Sequence, residues 1–156
     1  MRDRGRAGFT LIELVSVLIV LGVLAAVGVA RVPSMKDAEV IARADVVRSH
    51  LRYAQIRAMN AETPYGIVFG SGSYHMFRDG DTSAAGRVRL PGEDAAVVPL
   101  PAGMTISTGT VSFDHWGRPC TDAAANSPQS SDRTLTLSYD GHTRNLTIIQ
   151  DTGFVP

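Results

Sequence analysis

The pattern of apolar positions divides the chain into three parts. Between Arg6 and Arg31 the only ionisable residue is Glu13, and the 17 residues from Leu14 to Ala30 carry no charge. A helix rises about 1.5 Å per residue, so the stretch from Phe9 to Ala30 reaches roughly 33 Å, enough for a bilayer core of about 30 Å. The pattern therefore predicts a single membrane-spanning helix over residues 9–30.

The second part has a helical period. Apolar residues recur at spacings of three and four from Ile41 to Ala58, whereas Arg43, Arg48, Arg52 and Arg57 follow on other faces. Pro33 disfavours helix immediately before it, so we expect a kink or break near residues 31–34. We predict an amphipathic helix within residues 31–62, with its apolar stripe packed on the protein's own sheet. The stripe is formed by Ile41, Ala44, Val47, Leu51, Ala54 and Ala58.

The third part, residues 63–156, consists of short apolar runs separated by Gly, Pro, Asp and Ser. Residues 65–69 and 74–77 flank a Gly-Ser-Gly turn and predict a hairpin. Polar and apolar residues alternate over 134–139, which predicts a strand. Asp140-Gly141 predicts a tight turn, and residues 145–149 predict the second strand of a hairpin. Shorter strands are predicted at 104–106 and 111–113. The predicted fold class is α+β, a long N-terminal helix packed on a small antiparallel β-rich head.

Charge and cysteine content exclude several classes of protein. Fifteen basic and 15 acidic residues give a formal net charge of zero, so there is no general basic field for nucleic acid. The single cysteine, Cys120, cannot form an intrachain disulfide. No Ser/His/acid grouping, phosphate loop or metal-ligand cluster falls in a recognised motif. We therefore predict a protein that is not an enzyme and that uses no cofactor or metal.

Glu13 distinguishes the apolar segment from simpler alternatives. These are a cleaved secretory signal ending near residues 27–30, a plain single-pass anchor and a buried core helix. A carboxylate within the apolar span costs on the order of 2.5 kcal/mol, and neither a signal nor an anchor gains from it. An acid at this depth is by default a functional group that needs a partner. Arg2, Arg4 and Arg6 make the short N-terminal flank basic, which predicts a cytoplasmic N-terminus.

The residues Gly8-Phe9-Thr10-Leu11-Ile12-Glu13-Leu14, behind a basic leader, resemble the class III signal of type IV pilins and type II secretion pseudopilins. The resemblance implies that residues 1–8 are a leader removed by prepilin peptidase between Gly8 and Phe9. It also implies N-methylation of Phe9 and a pairing of Glu13 with the terminal amine of a neighbouring subunit during assembly. Gly8 has no side chain, which lets the backbone approach a protease cleft closely.

Scattered motifs in the head, including residues 113–119 and 151–155, are similar to those of the H-type pseudopilin and FimT group. Within that group, the head motifs resemble those of the minor pilin of mannose-sensitive-haemagglutinin-type pili. The resemblance implies an inner-membrane protein with a periplasmic head. The implied partners are prepilin peptidase, other pilin or pseudopilin subunits, an inner-membrane assembly platform and membrane lipid. Its function would be that of a minor pilus subunit, or alternatively of a type II secretion pseudopilin.

Two further features of the head bear on its function. Gly86-Arg87-Val88-Arg89 matches a Gly-Arg-x-Arg motif by which some FimT members take up DNA, but it lies mid-head and residues 31–156 carry 12 basic and 13 acidic residues. DNA contact by Arg87 and Arg89 is therefore the less favoured interpretation. Phe113 and Trp116, beside a strand end, are predicted to be core residues rather than a partner-binding patch.

Overall fold

The computed structural model describes residues 10–29 and 35–156. The chain divides into two compact units, an N-terminal one up to Ser34 and a head from Met35 to Pro156. Helix α1 of the first unit spans Leu11–Val29. Within the two described ranges, no helix combines the length and apolarity required to cross a bilayer. The kink expected at residues 31–34 lies outside the described residues.

Helix α2 spans Met35–Ala61 and ends where Glu62 adopts a positive φ of 55°, two residues before Pro64. The predicted stripe is confirmed at five of its six positions, since Ala44, Val47, Leu51, Ala54 and Ala58 are buried. The prediction is wrong for Ile41, which is exposed, while Val40 is buried in its place. Val40 lies four residues before Ala44, so the buried stripe begins one position earlier than expected.

The head unit contains nine strands, all paired antiparallel. Their bounds are β1 Tyr65–Phe69, β2 Ser73–Arg78, β3 Arg87–Val88, β4 Val97–Pro99, β5 Met104–Ile106, β6 Gly109–Phe113, β7 Pro119–Cys120, β8 Arg133–Tyr139 and β9 His142–Ile148.

The strands form two sheets. The first has the order β3-β2-β1-β6-β7, with β4 also paired to β2, and the second has the order β5-β8-β9. Both predicted hairpins are confirmed, β1 with β2 and β8 with β9. In the second hairpin Asp140 and Gly141 both have positive φ, of 49° and 83°. That geometry closes a two-residue turn, so β9 begins directly after it rather than at Asn145.

The hydrophobic core lies between α2 and the two sheets. Helix α2 packs on β1 and β6 of the first sheet and on β8 and β9 of the second. Leu135 and Leu137 alternate with half-buried or exposed residues along β8, and Leu146 and Ile148 do the same along β9. The amphipathic stripe therefore holds both sheets on one helix, which confirms the predicted α+β fold.

His50 is a buried polar residue within this core. Its Nδ1 lies 3.0 Å from the Tyr74 hydroxyl on β2, and its Nε2 lies 3.2 Å from the Pro91 carbonyl oxygen. Since a carbonyl can only accept, Nε2–H donates to Pro91 and Nδ1 accepts the Tyr74 O–H. Burial lowers the pKa of His50 despite the opposing effects of the Pro91 carbonyl and Glu93.

This environment predicts an acid-sensitive contribution to stability. Because the folded-state pKa lies below the ordinary value of 6.5, the unfolded chain takes up the proton first as pH falls. The free energy of unfolding should therefore decrease below about pH 6.5 until the folded pKa is reached. We expect His50→Gln to flatten that part of the curve, as measured by chemical denaturation of the full-length protein in detergent across pH 4.5–8.

The matched control is His142→Gln, which removes a histidine at the half-exposed start of β9. The decrease that His50 causes should remain in this variant, because the contacts of His50 with Tyr74 and Pro91 are intact. An unchanged curve for His50→Gln would contradict the assignment of the buried neutral imidazole.

Candidate functional site at the N-terminal helix

Two of the predicted site residues, Gly8 and Phe9, lie outside the described residues. The assignments of cleavage and methylation therefore stay predictions from sequence. The third, Glu13, lies in the first turn of α1 and is exposed.

Thr10 caps the start of α1. Its Oγ1 accepts a hydrogen bond from the Glu13 amide at 3.3 Å, and its carbonyl oxygen lies 3.1 Å from the same amide nitrogen. Thr-x-x-Glu is the sequence of a capping box, in which the N-cap hydroxyl satisfies an amide that the helix leaves unpaired. The acid is thereby held near the positive end of the helix dipole.

The surface around Glu13 is apolar on every side. Leu11, Ile12, Leu14 and Val15 are all exposed, and so are the large apolar side chains further along the helix as far as Leu24. Ser16 donates its hydroxyl hydrogen to the Ile12 carbonyl at 2.8 Å, which satisfies a polar group inside the helix itself. An all-round apolar helix has no face of its own for water, so this surface needs a lipid or protein environment.

Glu13 has no cation within ion-pair distance among residues 10–29 and 35–156. The described part of the chain thus presents a carboxylate on an apolar surface, and its own described residues do not neutralise it. Such a group is costly in a medium of low polarity until a positive charge is supplied. A cation supplied from outside these residues would neutralise the Glu13 carboxylate and remove this cost.

Arg87 and Arg89 are the other predicted site residues, and both are exposed. Arg87 lies in the two-residue strand β3 opposite Phe77, and Arg89 follows it. One acidic side chain lies beside them, because a Cβ on Gly86, the residue before Arg87, would lie 2.7 Å from the Asp81 Cγ. The local surface therefore carries both signs of charge rather than a basic patch.

The sequence prediction for the aromatic pair near β6 is half confirmed. Phe113 is buried in the core, but the prediction is wrong for Trp116, which is 65% exposed. Trp116 lies in the turn after β6, where Asp114 takes the buried position instead. No pattern in the sequence predicts that Phe113 is buried and Trp116 exposed, because the two residues lie on either side of the strand end.

Cys120 is buried, and its thiol lies 3.5 Å from the Ala125 carbonyl oxygen and 3.8 Å from that of Arg118. Burial, with smaller effects from Asp114 and Asp122, raises the pKa of the thiol to about 11. The thiol is therefore protonated at neutral pH and is a poor nucleophile.

Comparison with known proteins gives two findings. A family model described as the prokaryotic N-terminal methylation motif matches residues 3–29, a range that includes Gly8, Phe9 and Glu13. The crystal structure of the type IV minor pilin FimU of Pseudomonas aeruginosa has a similar fold, with a TM-score of 0.54 and 18% sequence identity. The similarity covers 80% of this chain and 91% of FimU. No curated protein matches. The chain is thus similar to the methylation motif in the sequence of residues 3–29 and to a type IV minor pilin in its fold.

Proposed function

We propose that the chain is a minor pilin or pseudopilin subunit, with a structural rather than a catalytic role. The observation that carries the proposal is the joining of two independent features in one chain. One is the methylation motif at residues 3–29, and the other is a fold similar to that of a type IV minor pilin over 80% of the chain. Neither feature depends on the other, because the first is local sequence and the second is three-dimensional structure.

The proposed precursor is a single-pass inner-membrane protein. Residues 1–8 form the cytoplasmic leader, residues 9–30 span the membrane, and the head is periplasmic. The basic residues Arg2, Arg4 and Arg6 favour this orientation. The exposed apolar surface of α1 supports contact with membrane lipid before assembly and with other subunits afterwards.

Processing by prepilin peptidase would create the positive charge that Glu13 requires. Cleavage after Gly8 gives Phe9 a terminal amine, which the same enzyme would methylate. In the proposed assembly step, this amine and the Glu13 carboxylate of an adjoining subunit come together on the apolar surface. The pairing favours docking in register at the assembly platform, since each group is costly in lipid without the other.

The main alternative is an H-type pseudopilin of a type II secretion system. A pseudopilin belongs to a secretion system and a minor pilin belongs to a pilus. The chemistry of processing and assembly is the same for both. Deletion of the gene discriminates between the two, because loss of pili favours a pilus subunit whereas retention of exported proteins in the periplasm favours the secretion system.

The cleavage assignment is tested with Gly8→Val. A side chain at this position prevents close approach of the backbone to the peptidase, so we expect full-length, unmethylated protein to accumulate in the membrane. Intact-mass measurement of the purified protein distinguishes residues 1–156 from 9–156. Gly5→Val, in the same leader, is the control and should be processed normally. Residues 9–156 obtained from Gly8→Val would contradict the requirement for glycine at position 8, and a wild-type protein that begins at any residue other than Phe9 would contradict the cleavage site.

The role of Glu13 is tested with Glu13→Gln. Glutamine keeps the capping-box pattern but removes the charge, so insertion and cleavage should be unaffected. Incorporation into filaments should fall about tenfold or more, because an ammonium left unpaired in an apolar site costs several kcal/mol. Immunoblots of sheared filaments against total membrane protein measure this ratio. Ser16→Ala serves as the control, and wild-type incorporation of Glu13→Gln would refute the pairing.

DNA binding by Arg87 and Arg89 is the less favoured function, and it has a direct test. With both signs of charge around them, we expect no gel shift of double-stranded DNA by the full-length protein in detergent at 150 mM salt. Arg87→Ala/Arg89→Ala should behave identically. A shift that the wild type gives and the double variant loses, while Arg144→Ala keeps it, would establish DNA binding at this site.

A further inference from the structure

A polar cleft lies in the head where the loop after β7 meets the start of β8. Its volume is about 370 Å³, and it is lined by Thr121 and by residues 129–134. Every lining side chain carries a hydrogen-bonding group, and none of them is aromatic or aliphatic. Ligand sites typically have volumes of about 300–1,000 Å³. The cleft is therefore large enough for a small polar ligand.

Gln129 is a buried residue of this cleft whose side-chain amide is not satisfied. The residue is only 9% exposed, and its Oε1 and Nε2 are both buried without a hydrogen-bond partner among the described residues. Its backbone is fixed, because the Gln129 N–H donates to the Pro119 carbonyl at 2.9 Å and Cys120 pairs with Pro128 just before it. A buried amide costs free energy until partners are supplied. In the wall of a cleft, it indicates a ligand that brings both a donor and an acceptor.

Arg133 contributes a half-buried positive charge to the same cleft. Its Nη1 donates to the Thr110 carbonyl oxygen at 2.5 Å, and Gly109 leaves room for the guanidinium, because a Cβ there would collide with the Arg133 Nη2. No carboxylate lies within 4 Å of the guanidinium among residues 10–29 and 35–156. Burial lowers the pKa of Arg133, since its charge is partly removed from water. A positive charge in this setting favours an anionic partner.

The edge of β8 adds backbone groups beside the cleft. Strand β5 pairs with β8 only from Leu137 to Tyr139, and Ser107 extends this contact by bonding to the carbonyl and the N–H of Thr136. Backbone groups of alternate residues face the same neighbour, so those of Thr134 face the same side as those of Thr136. None of the described strands pairs with Thr134 on that side. An unpaired strand edge accepts an extended peptide.

Asp132 is the acid in the lining, and it limits the charge that the cleft accepts. Its Oδ1 accepts a hydrogen bond from the Gln150 N–H at 2.9 Å. The lining thus carries one cation and one anion, Arg133 and Asp132. Repulsion from Asp132 disfavours a ligand with two negative charges more than a ligand with one.

We propose that the cleft binds the C-terminal end of a peptide, as a free carboxylate together with the peptide group before it. The carboxylate pairs with the Arg133 guanidinium, whose planar fork matches it. The peptide group supplies the donor and the acceptor that the Gln129 amide lacks, and the peptide backbone continues along the Thr134 edge. The inference goes beyond the proposed function and does not depend on it, because the residues proposed for processing and assembly lie outside the cleft.

Other ligands use fewer of these groups. A sugar would bond to the hydroxyls, but it would leave the Arg133 charge unpaired, and the lining has no aromatic side chain to cover the apolar face of a ring. A phosphate would pair with Arg133, but Asp132 repels a dianion, and a fully ionised phosphate has no donor for the Gln129 Oε1. A peptide end matches the guanidinium, the amide and the strand edge together.

The first test measures peptide binding by the full-length protein in detergent. The probe is an equimolar pool of acetyl-Ala-Ala-Ala-X peptides, with each amino acid in turn as X and a free C-terminal carboxylate. The control is the same pool with amidated C-termini. Equilibrium dialysis followed by mass spectrometry shows which peptides the protein retains. We expect members of the acid pool to be retained about tenfold or more over the amide pool, because amidation removes the charge that pairs with Arg133. No retention of acids, or equal retention of both pools, would overturn the proposal.

The position of the site is tested with variants and the best-retained peptide. Gln129→Met and Arg133→Gln should each weaken binding about tenfold or more, whereas Arg144→Gln, at an exposed arginine of β9, should keep the wild-type affinity. Wild-type binding by either cleft variant, or loss of binding by Arg144→Gln, would overturn the proposal.

Thermal unfolding separates binding from structural support. Gln129→Met removes two buried, unpaired polar atoms, so its melting temperature should rise by about 2 °C although its binding is lost. A lower melting temperature would show that the protein itself satisfies the Gln129 amide, and it would overturn the role given to this residue.

Competition and a carrier protein define the ligand. Sodium glucuronate, glucose and inorganic phosphate, each at the peptide concentration, should not displace the peptide. Displacement by any of them would overturn the assignment to a peptide end. The same four residues placed at the C-terminus of a folded carrier protein distinguish the two sources of this chemistry. Binding of the carrier supports the end of a protein as the ligand, and binding of the free peptide alone supports a free peptide.

Discussion

The head depends on the packing of one helix stripe against two sheets. The buried positions of α2 follow spacings of three and four from Val40 to Ala58, so they form a single continuous face. Three of them, Ala44, Ala54 and Ala58, are small and let the strands approach the helix closely, while Val47 and Leu51 fill the space between. Fully burying a side chain of the size of Val or Leu contributes about 1.5–3 kcal/mol, so the stripe is the main link between the two sheets.

Polar side chains of the same helix organise the loops. Arg43 donates to the Pro99 carbonyl, His50 to that of Pro91, and Arg52 to that of Val155. Gln55 donates to the carbonyl oxygens of Gly117 and Thr152, at 2.8 and 2.7 Å. Loop carbonyls that lack a partner in a sheet need a donor when they pack against a protein surface, and here α2 supplies it. Helix α2 thus holds the core together. Its polar side chains also fix the positions of neighbouring segments, including those that carry Trp116 and Phe154.

Local sequence patterns predict the helices and strands. Packing between distant segments determines which residues depart from the predicted burial. The alternation of residues 134–139 and the Asp140-Gly141 turn specify a hairpin without reference to the rest of the chain. Ile41 and Val40 are adjacent at the border of the stripe, and only the position of the sheets determines which one is buried. The same holds for His50, whose burial requires Tyr74 and Pro91 from distant segments. At the predicted sites, the motif located Glu13, but only the three-dimensional structure shows the exposed Trp116.

The backbone amide and the side chain of Glu13 have separate explanations. The cap of α1 uses the Glu13 amide, which donates to Thr10, and this contact does not depend on the charge of the side chain. The capping box itself is satisfied by glutamine as well as by glutamate, so helix initiation does not explain why an acid stands on an otherwise apolar surface. Burial in lipid disfavours the charge, and the helix dipole offsets only about 0.3–1 kcal/mol of that cost. The remaining cost requires a cation, and in the proposed assembly step a terminal amine at Phe9 of an adjoining subunit would supply one. The carboxylate is therefore better explained by assembly than by folding.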